Sequence, residues 1–184
     1  KKLLASACAV AFVSLAAPAQ ADVKIGVVLA LTGPNASLGI PYRKGVEMIA
    51  REIGGEKVQL IFLDDASDPS TAVKNAQKLI ADDNIDILIG GSNTPASQAM
   101  GNVTSKAGVQ QVSLAPAAFP ADKNKWMIAM PQPANLWAAA LVKDMQKRGV
   151  KNVAFIGFSD PWGDICYNGL KEAADKAGLK VVTN

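Results

Sequence analysis

Histidine is absent from this 184-residue sequence, and cysteine occurs only twice, as Cys8 and Cys166. Without histidine, the chain lacks the commonest general base, the usual activator of a serine or cysteine nucleophile and the commonest zinc ligand. The sequence also contains no phosphate-binding Gly-Lys-Ser/Thr motif, no Gly-x-Ser-x-Gly elbow and no glycine-rich dinucleotide fingerprint. These absences argue against an enzyme and leave a secreted α/β enzyme as the least favoured alternative.

The charges of the chain are nearly balanced, with 19 Lys and Arg residues against 16 Asp and Glu residues. The basic residues form no cluster, so the sequence shows no electrostatic footprint for nucleic acid. The adjacent pair Asp64 and Asp65 raises the question of a metal or acid–base site. No histidine or further carboxylate lies at ligand spacing apart from Asp68, which a helix cap explains, so we predict neither a metal nor a catalytic pair.

Residues 1–21 have the pattern of a secretory signal peptide. A basic start is followed by an apolar run over 3–17 and by a small-x-small cleavage site at 19–21. The run is short for a membrane span, and no second long apolar run follows it. A lipoprotein cleaved at Cys8 is the alternative, but the apolar region continues beyond this cysteine. We therefore predict an exported chain that begins at Asp22 and has no internal disulfide, because one cysteine remains.

Strand and helix patterns alternate from residue 23 onward. Strands are predicted where β-branched and apolar residues run together, at Val23–Leu31, Val58–Leu63, Ile85–Ile89 and Val109–Ala115. Helices are predicted from helical spacing and capping residues, at Tyr42–Ile53, after the cap Asp68-Pro69, and from Thr94-Pro95 to Ala107. This order predicts an α/β fold with a doubly wound parallel sheet and helices on both faces.

After Pro116, prolines become frequent and the alternation loosens before a second series begins. The predicted elements of this part are a strand at Trp126–Met130, a helix at Asn135–Arg148, a strand at Val153–Phe158, a helix at Asp164–Ala177 and a strand at Leu179–Val182. We predict a first lobe over 22–120, a crossover or hinge region over 121–134 and the start of a second lobe over 135–184. A second lobe this short is too small for a core of its own, so we expect the chain to be part of a longer one.

The turn over residues 90–95 is the strongest candidate for a binding site. Ligands of doubly wound sheets bind beyond the carboxyl ends of the strands, and Gly90-Gly91-Ser92-Asn93-Thr94-Pro95 follows such an end and opens a helix. The free N–H groups and dipole of a helix N-terminus, together with the hydroxyls of Ser92 and Thr94, suit a carboxylate. The alternative is that Ser92, Asn93 or Thr94 only caps the helix.

Several short motifs follow one another in a characteristic order. They are Lys24-Ile25-Gly26-Val27-Val28, Leu31-Thr32-Gly33-Pro34 with Gly39, Asp64-Asp65-Ala66-Ser67-Asp68-Pro69, Ile89-Gly90 before Pro95-Ala96-Ser97, and Gly157-Phe158-Ser159-Asp160-Pro161-Trp162-Gly163. In this order, over residues 22–184, they resemble the leucine/isoleucine/valine-binding family of periplasmic solute receptors, which supply ABC importers. The resemblance implies the type I periplasmic binding fold, in which two Rossmann-like lobes joined by a hinge close over a small ligand. The second lobe is expected to be incomplete in this chain.

The resemblance also implies a set of ligand-binding residues. They are Ser92, Asn93, Thr94, Ala117, Ala118, Phe119, Leu38 and Trp162. Thr94 aligns with the hydroxyl that binds the ligand carboxylate, and the turn after the fourth strand aligns with the backbone carbonyl that binds an ammonium group. Phe119 stands where Thr or Ser is usual and Leu38 where an aromatic residue is often found, and ordinary packing is the alternative for both. Trp162 resembles the aromatic residue of the second lobe that covers the ligand.

The function that the resemblance implies is extracytoplasmic solute capture without enzymatic activity. The expected protein is a periplasmic monomer that binds a branched-chain or other hydrophobic amino acid and delivers it to an ABC permease in the inner membrane. It is expected to need no cofactor. Because Phe119 departs from the family pattern, an aromatic or keto-acid carboxylate is the alternative ligand. A ligand-sensing ectodomain of the same fold is the alternative function.

Overall fold

The structure is a computed structural model that describes residues 22–120, 122 and 124–183. The predicted signal peptide over 1–21 lies outside the described residues. Within the described part, no helix is both long and apolar enough to cross a membrane.

A six-stranded sheet forms the first and larger part of the molecule. Its strands are β1 (Val23–Leu29), β2 (Glu52–Ile53), β3 (Glu56–Asp64), β4 (Ile87–Gly90), β5 (Gln110–Ser113) and β6 (Met127–Ala129), in the order β2-β3-β1-β4-β5-β6. All neighbours pair in parallel except β2, which forms an antiparallel hairpin with β3. The chain passes from β1 to β3 on one side and then crosses to β4 on the other, so the loops after β1 and β4 diverge at a topological switch point.

Helices cover both faces of this sheet. They are α1 (Ala36–Val46), α2 (Pro69–Ala81) and α3 (Thr94–Ala107). On one face, Ile25 and Leu29 of β1 pack with Val46 of α1, and on the other face Val28 packs with Leu79 of α2 and with α3. Burial of β1 on both faces and the parallel sheet between helix layers confirm the predicted doubly wound α/β fold.

The second part of the molecule is a βαβ unit with an additional helix. It consists of α4 (Ala134–Lys147), β7 (Asn152–Ala154), α5 (Pro161–Ala177) and β8 (Lys180–Thr183), with β7 and β8 parallel. Val142 of α4 and Leu170 of α5 form its small core with Leu179. Although it falls within the predicted crossover region 121–134, β6 pairs with β5 in the first sheet.

The prediction for the first helix is wrong in its bounds. The sequence indicated a helix over Tyr42–Ile53, whereas α1 begins at Ala36, and Ile53 lies in β2. Gly54 and Gly55 both have positive φ, 63° and 88°, and form the two-residue turn of the β2–β3 hairpin. The glycine pair therefore marks a hairpin, which sequence reasoning took for the end of a helix.

The bounds of β7 and α5 also differ from the predictions. Regular pairing of β7 ends at Ala154 after a register irregularity, so the predicted strand over Val153–Phe158 is wrong beyond that residue. The helix begins at Pro161, because Asp160 caps it, and the predicted start at Asp164 is wrong. The predicted helices after Asp68 and from Thr94 to Ala107 and the strand within Trp126–Met130 are confirmed.

Candidate functional site

A cavity of about 370 Å³ opens beyond the carboxyl ends of the strands. Loops after β1, β3, β4 and β5 form one wall, and the loop before α5 forms the other. The lining residues are Asn35, Tyr42, Ser67, Pro69, Ser92, Asn93, Thr94, Pro95, Ala115, Pro116, Phe158, Asp160 and Trp162. Its volume and its position at the switch point are typical of small-ligand sites in open α/β sheets.

Two glycines shape the turn from β4 into α3. Gly90 and Gly91 have φ values of +151° and +84°, which L side chains rarely adopt. A Cβ atom on Gly90 would overlap the carbonyl oxygen of Val28, and one on Gly91 would overlap the hydroxyl of Ser97. The turn therefore lies close against β1, and this packing places residues 92–94 on the cavity wall.

The hydroxyls of Ser92 and Thr94 have different hydrogen-bonding roles. Ser92 is 3% exposed, and its Oγ accepts the N–H of Ala30 at 3.0 Å, which leaves the hydroxyl proton available for a ligand. Thr94 is 2% exposed, and its Oγ1 donates to the carbonyl oxygen of Pro116 at 2.7 Å. In this arrangement the Ser92 hydroxyl remains a donor, whereas the Thr94 hydroxyl can donate to a ligand only if it releases the carbonyl oxygen of Pro116.

Asn93 is the N-cap of α3. Its Oδ1 accepts the N–H of Ala96 at 2.9 Å, and this bond leaves the Nδ2 group of the side chain free to donate. The N–H of Thr94 has no acceptor among the described residues. The capping alternative holds for Asn93, yet the same turn still presents unused donors at a helix N-terminus.

Asp64 joins the loops that follow β1 and β3. Its Oδ1 accepts the N–H groups of Leu31 at 2.8 Å, Thr32 at 3.2 Å and Ala66 at 2.8 Å, and its Oδ2 accepts the Thr32 hydroxyl at 2.7 Å. Partial burial raises the pKa of this carboxyl, but the hydrogen bonds that it accepts outweigh burial and leave its pKa below the usual value.

Ser67 extends this connection to the cavity wall. Its Oγ donates to the carbonyl oxygen of Thr32 at 2.8 Å and accepts the N–H of Asn35 at 3.0 Å. Ser67 and Asn35 both line the cavity. Asp64 and Ser67 therefore fix two cavity loops relative to each other without an ion pair.

Asp65 is fully buried and has one carboxylate oxygen without a partner. Its Oδ1 accepts the N–H of Ser67 at 2.8 Å, while Oδ2 has no hydrogen-bond partner among the described residues. Burial raises the pKa of Asp65, and the neighbouring carboxylates of Asp64 and Asp68 act in the same direction. No group of three or more His, Cys, Asp or Glu side chains within the described residues is arranged to hold a metal ion.

The opposite wall is built at the start of α5. The Oδ1 atom of Asp160 accepts the N–H groups of Trp162 at 2.9 Å and Gly163 at 3.0 Å, which holds the first turn of the helix. Trp162 and Phe158 line the cavity together with Tyr42 from the first wall. The cavity thus has aromatic surface on both sides and hydrogen-bonding groups at the end of β4.

The cavity contains half of the residues that the sequence predicted as ligand contacts. Ser92, Asn93, Thr94 and Trp162 line it, whereas Leu38, Ala117, Ala118 and Phe119 do not.

The four residues outside the cavity have other surroundings. Leu38 is 43% exposed on α1, and the ring of Phe119 packs onto Gly101 of α3, as the packing alternative for Phe119 proposed. Ala117 and Ala118 border a neighbouring depression beside Pro131, and the carbonyl oxygen of Ala118 accepts a hydrogen bond from Gln98 at 3.2 Å.

Sequence reasoning missed other residues of the cavity wall. Among them, Asn35, Tyr42 and Ser67 come from the loops and helix that follow β1 and β3, and Asp160 caps α5. The rule that placed the site after β4 applies equally to the strands beside it and points to Asn35 and Ser67. An aspartate before a proline, the pattern recognised at Asp68, also indicates the cap at Asp160.

The fold and the cavity at the switch point define an α/β ligand-binding protein. The chain belongs to the periplasmic binding protein family, whose model matches residues 22–184. It is 32% identical over 195 aligned positions to the Leu/Ile/Val-binding protein homolog 3 of Brucella melitensis, an alignment that covers 98% of this chain and 51% of that protein. The chain thus spans about half the length of this curated relative. The family consists of solute-binding proteins, so the predicted resemblance is confirmed.

Solved structures show the same fold. An extracellular ligand-binding receptor from Rhodopseudomonas palustris superposes with a TM-score of 0.86 at 38% identity, covering 89% of this chain and 46% of that chain. A solute-binding protein of an ABC transporter from the same species, solved in complex with 4-hydroxybenzoate, has a TM-score of 0.77 at 24% identity, with 89% and 46% coverage. The second similarity concerns the fold alone. The type I periplasmic binding fold is confirmed, and the chain covers about half of these structures.

Proposed function

We propose that this chain is part of an exported substrate-binding protein that serves an ABC importer in the periplasm. The protein captures a branched-chain or other hydrophobic amino acid, or a related small carboxylate, and closes its lobes over it. It works as a monomer, reaches the periplasm through the signal peptide at 1–21 and delivers its ligand to a permease in the inner membrane. The relationship to a Leu/Ile/Val-binding protein homolog supports the amino-acid class.

The observation that carries this proposal is the set of unused donors at the N-terminus of α3. Ser92, Asn93 and Thr94 line the cavity. The hydroxyl proton of Ser92, the Nδ2 group of Asn93 and the N–H of Thr94 have no acceptor among the described residues. A carboxylate there accepts several hydrogen bonds and lies at the positive end of the helix dipole. Its placement needs no lysine or arginine.

The aromatic wall supports an apolar group on the ligand. Trp162 and Phe158 come from the second part of the chain and Tyr42 from the first, so a ligand held at α3 contacts both parts at once. Such a ligand stabilises the closed arrangement only as far as it binds that arrangement better than the open one. This division of the wall supports capture by closure.

The aromatic residues also favour a second candidate ligand, an aromatic carboxylate. A flat ring stacks or packs edge-on against tryptophan and phenylalanine with a gain beyond its area burial. The solute-binding protein from Rhodopseudomonas palustris that shares this fold was solved in complex with 4-hydroxybenzoate, which supports this candidate. This candidate shares the carboxylate site at α3 and differs only in the group that meets the aromatic wall.

A thermal-shift screen of the protein from the full reading frame tests the proposal. Leucine, isoleucine, valine, benzoate and 4-hydroxybenzoate serve as probes, and a ligand at 100 times its Kd adds about 2.7 kcal/mol of stability. We expect a shift with at least one probe, and we expect Ser92→Ala to reduce it while Ser105→Ala, in the last turn of the same helix, does not. No shift with any probe, or equal shifts in both variants, would contradict the proposed site.

A further inference from the structure

Asp160 has acceptor capacity that its structural role does not use. Both hydrogen bonds that it accepts, from Trp162 and Gly163, end on Oδ1. The second oxygen, Oδ2, accepts no hydrogen bond from the described residues, and Asp160 is one of the residues that line the cavity. An ionised carboxylate can accept up to about four hydrogen bonds, so Asp160 can take a donor from a ligand.

A negative charge at this position is not required for capping. Asn93 caps α3 with a neutral amide on the opposite wall of the same cavity, and Asn and Asp are about equally good N-caps. Asp68 caps α2 in front of a proline, as Asp160 does in front of Pro161, but Asp68 is exposed and does not line the cavity. What the carboxylate adds at residue 160 is a negative charge on a residue of the cavity wall.

This charge has no counterpart on the cavity wall. Asp160 is the sole Asp, Glu, Lys or Arg among the residues that line the cavity in the described part of the chain. A ligand that carries only a carboxylate would bring a second negative charge into a partly enclosed site, which is unfavourable. A ligand that also carries a hydrogen-bond donor would meet Asp160 with a charge-assisted hydrogen bond.

We propose that Asp160 is a specificity-determining residue that selects carboxylates bearing a second, hydrogen-bond-donating group. The ammonium group of an amino acid and the hydroxyl of a phenolic acid both provide this chemistry. The inference rests on the proposed function, because it assumes that the carboxylate of the ligand lies at α3. It adds a charged acceptor on the second wall to the backbone carbonyl that the family resemblance implies for an ammonium group.

Two pairs of probes test this selection on the protein from the full reading frame, by isothermal titration calorimetry. The pairs are leucine with 4-methyl-2-oxopentanoate and 4-hydroxybenzoate with benzoate, and the members of each pair differ at the donor. We expect the donor-bearing member of one pair to bind about 10- to 100-fold more tightly, the range of a hydrogen bond to a charged group. The pair that shows the preference identifies the source of the donor.

Asp160→Asn then removes the charge and keeps the cap. We expect this variant to lose most of the preference for the donor-bearing probe while it retains the melting temperature of the wild type. Asp160→Ser, which also introduces a capping residue, should behave in the same way. Asp164→Asn removes the same charge one turn along α5, outside the cavity wall, and is expected to keep the preference. Equal affinities within both pairs, or a preference that survives in Asp160→Asn, would overturn the role proposed for Asp160 and leave the proposed function intact. Absence of binding by all four probes would overturn the proposed function with it.

Discussion

Replacement of Asp64 is expected to loosen the two loops that bring Asn35 and Ser67 to the cavity. Asp64 accepts three N–H groups on Oδ1 and one hydroxyl on Oδ2. In Asp64→Asn, one acceptor oxygen remains, but the charge is lost. A hydrogen bond to a charged group contributes about 1.5–3 kcal/mol and a neutral one about 0.5–1.5 kcal/mol, so each N–H bond weakens by about 1 kcal/mol.

The three N–H bonds together lose about 3 kcal/mol, and the Thr32 hydroxyl loses its acceptor oxygen as well. The net loss is smaller, because Asp64 is partly accessible to solvent and water replaces much of the lost interaction. We therefore expect Asp64→Asn to reduce the free energy of unfolding by about 1–2 kcal/mol at pH 7. Urea unfolding of the protein from the full reading frame measures this loss. Asp82→Asn is the control, since Asp82 makes an exposed ion pair with Lys78 at 3.9 Å and is expected to change stability by less than about 0.5 kcal/mol.

The pH dependence distinguishes this explanation from a general packing defect. Because the folded-state pKa of Asp64 is lowered, its contribution is present above the pKa of the unfolded chain and is lost as the pH falls through the folded-state pKa. The difference between wild type and Asp64→Asn should therefore shrink below about pH 4. A difference that is constant with pH, or absent at pH 7, would refute the role assigned to the Asp64 hydrogen bonds.

Three further variants test neighbouring parts of the structure. Because the folded-state pKa of the buried Asp65 is raised, its stabilising contribution is lost as the pH rises above about 4. Asp65→Asn should therefore have a higher melting temperature than wild type at pH 7, by a margin that narrows toward pH 4. A lower melting temperature of the variant at pH 7 would contradict this. Gly39→Ala would place a Cβ atom on the carbonyl oxygen of Ala30, so α1 must shift. We expect urea unfolding to show a free energy of unfolding lower by about 1–3 kcal/mol, and an unchanged value would contradict this contact. Thr94→Val removes the hydrogen bond to Pro116 and should lower the free energy of unfolding by about 1–3 kcal/mol. Thr94→Ser keeps the hydroxyl and should recover most of this loss. Equal losses in both variants would contradict a stabilising role of the hydroxyl.

Sequence patterns were sufficient to predict those helices and strands that are determined by neighbouring residues. An aspartate or asparagine cap close to a proline marked the starts of α2 and α3, and the run of apolar residues in β1 indicated burial on both faces. The same kind of cap precedes α5 at Asp160, but the apolar residues before it also fit a longer strand, so the sequence alone does not fix the start of this helix. Gly54-Gly55 is compatible with both a helix end and a hairpin, and only pairing of β2 with β3 decides between them.

The candidate site was predictable to the extent that one strand end determines it. Ser92, Asn93 and Thr94 follow directly from the position of β4 at the switch point. The same rule applied to β1 and β3 points to Asn35 and Ser67, but the hydrogen bond that joins these two residues across 32 positions of the chain leaves no local pattern. Phe119 was ambiguous for the same reason, since its packing against Gly101 depends on the path of the loop after β5.

Hydrogen–deuterium exchange with and without bound ligand tests the central claim most directly. The claim is that one small carboxylate contacts both the start of α3 and the start of α5. With the best probe from the thermal-shift screen, we expect slower exchange in peptides covering 91–98 and 157–163, and no change in a peptide within α4 over 139–146. Protection that is absent from either of the first two segments would contradict a ligand held between these helix starts.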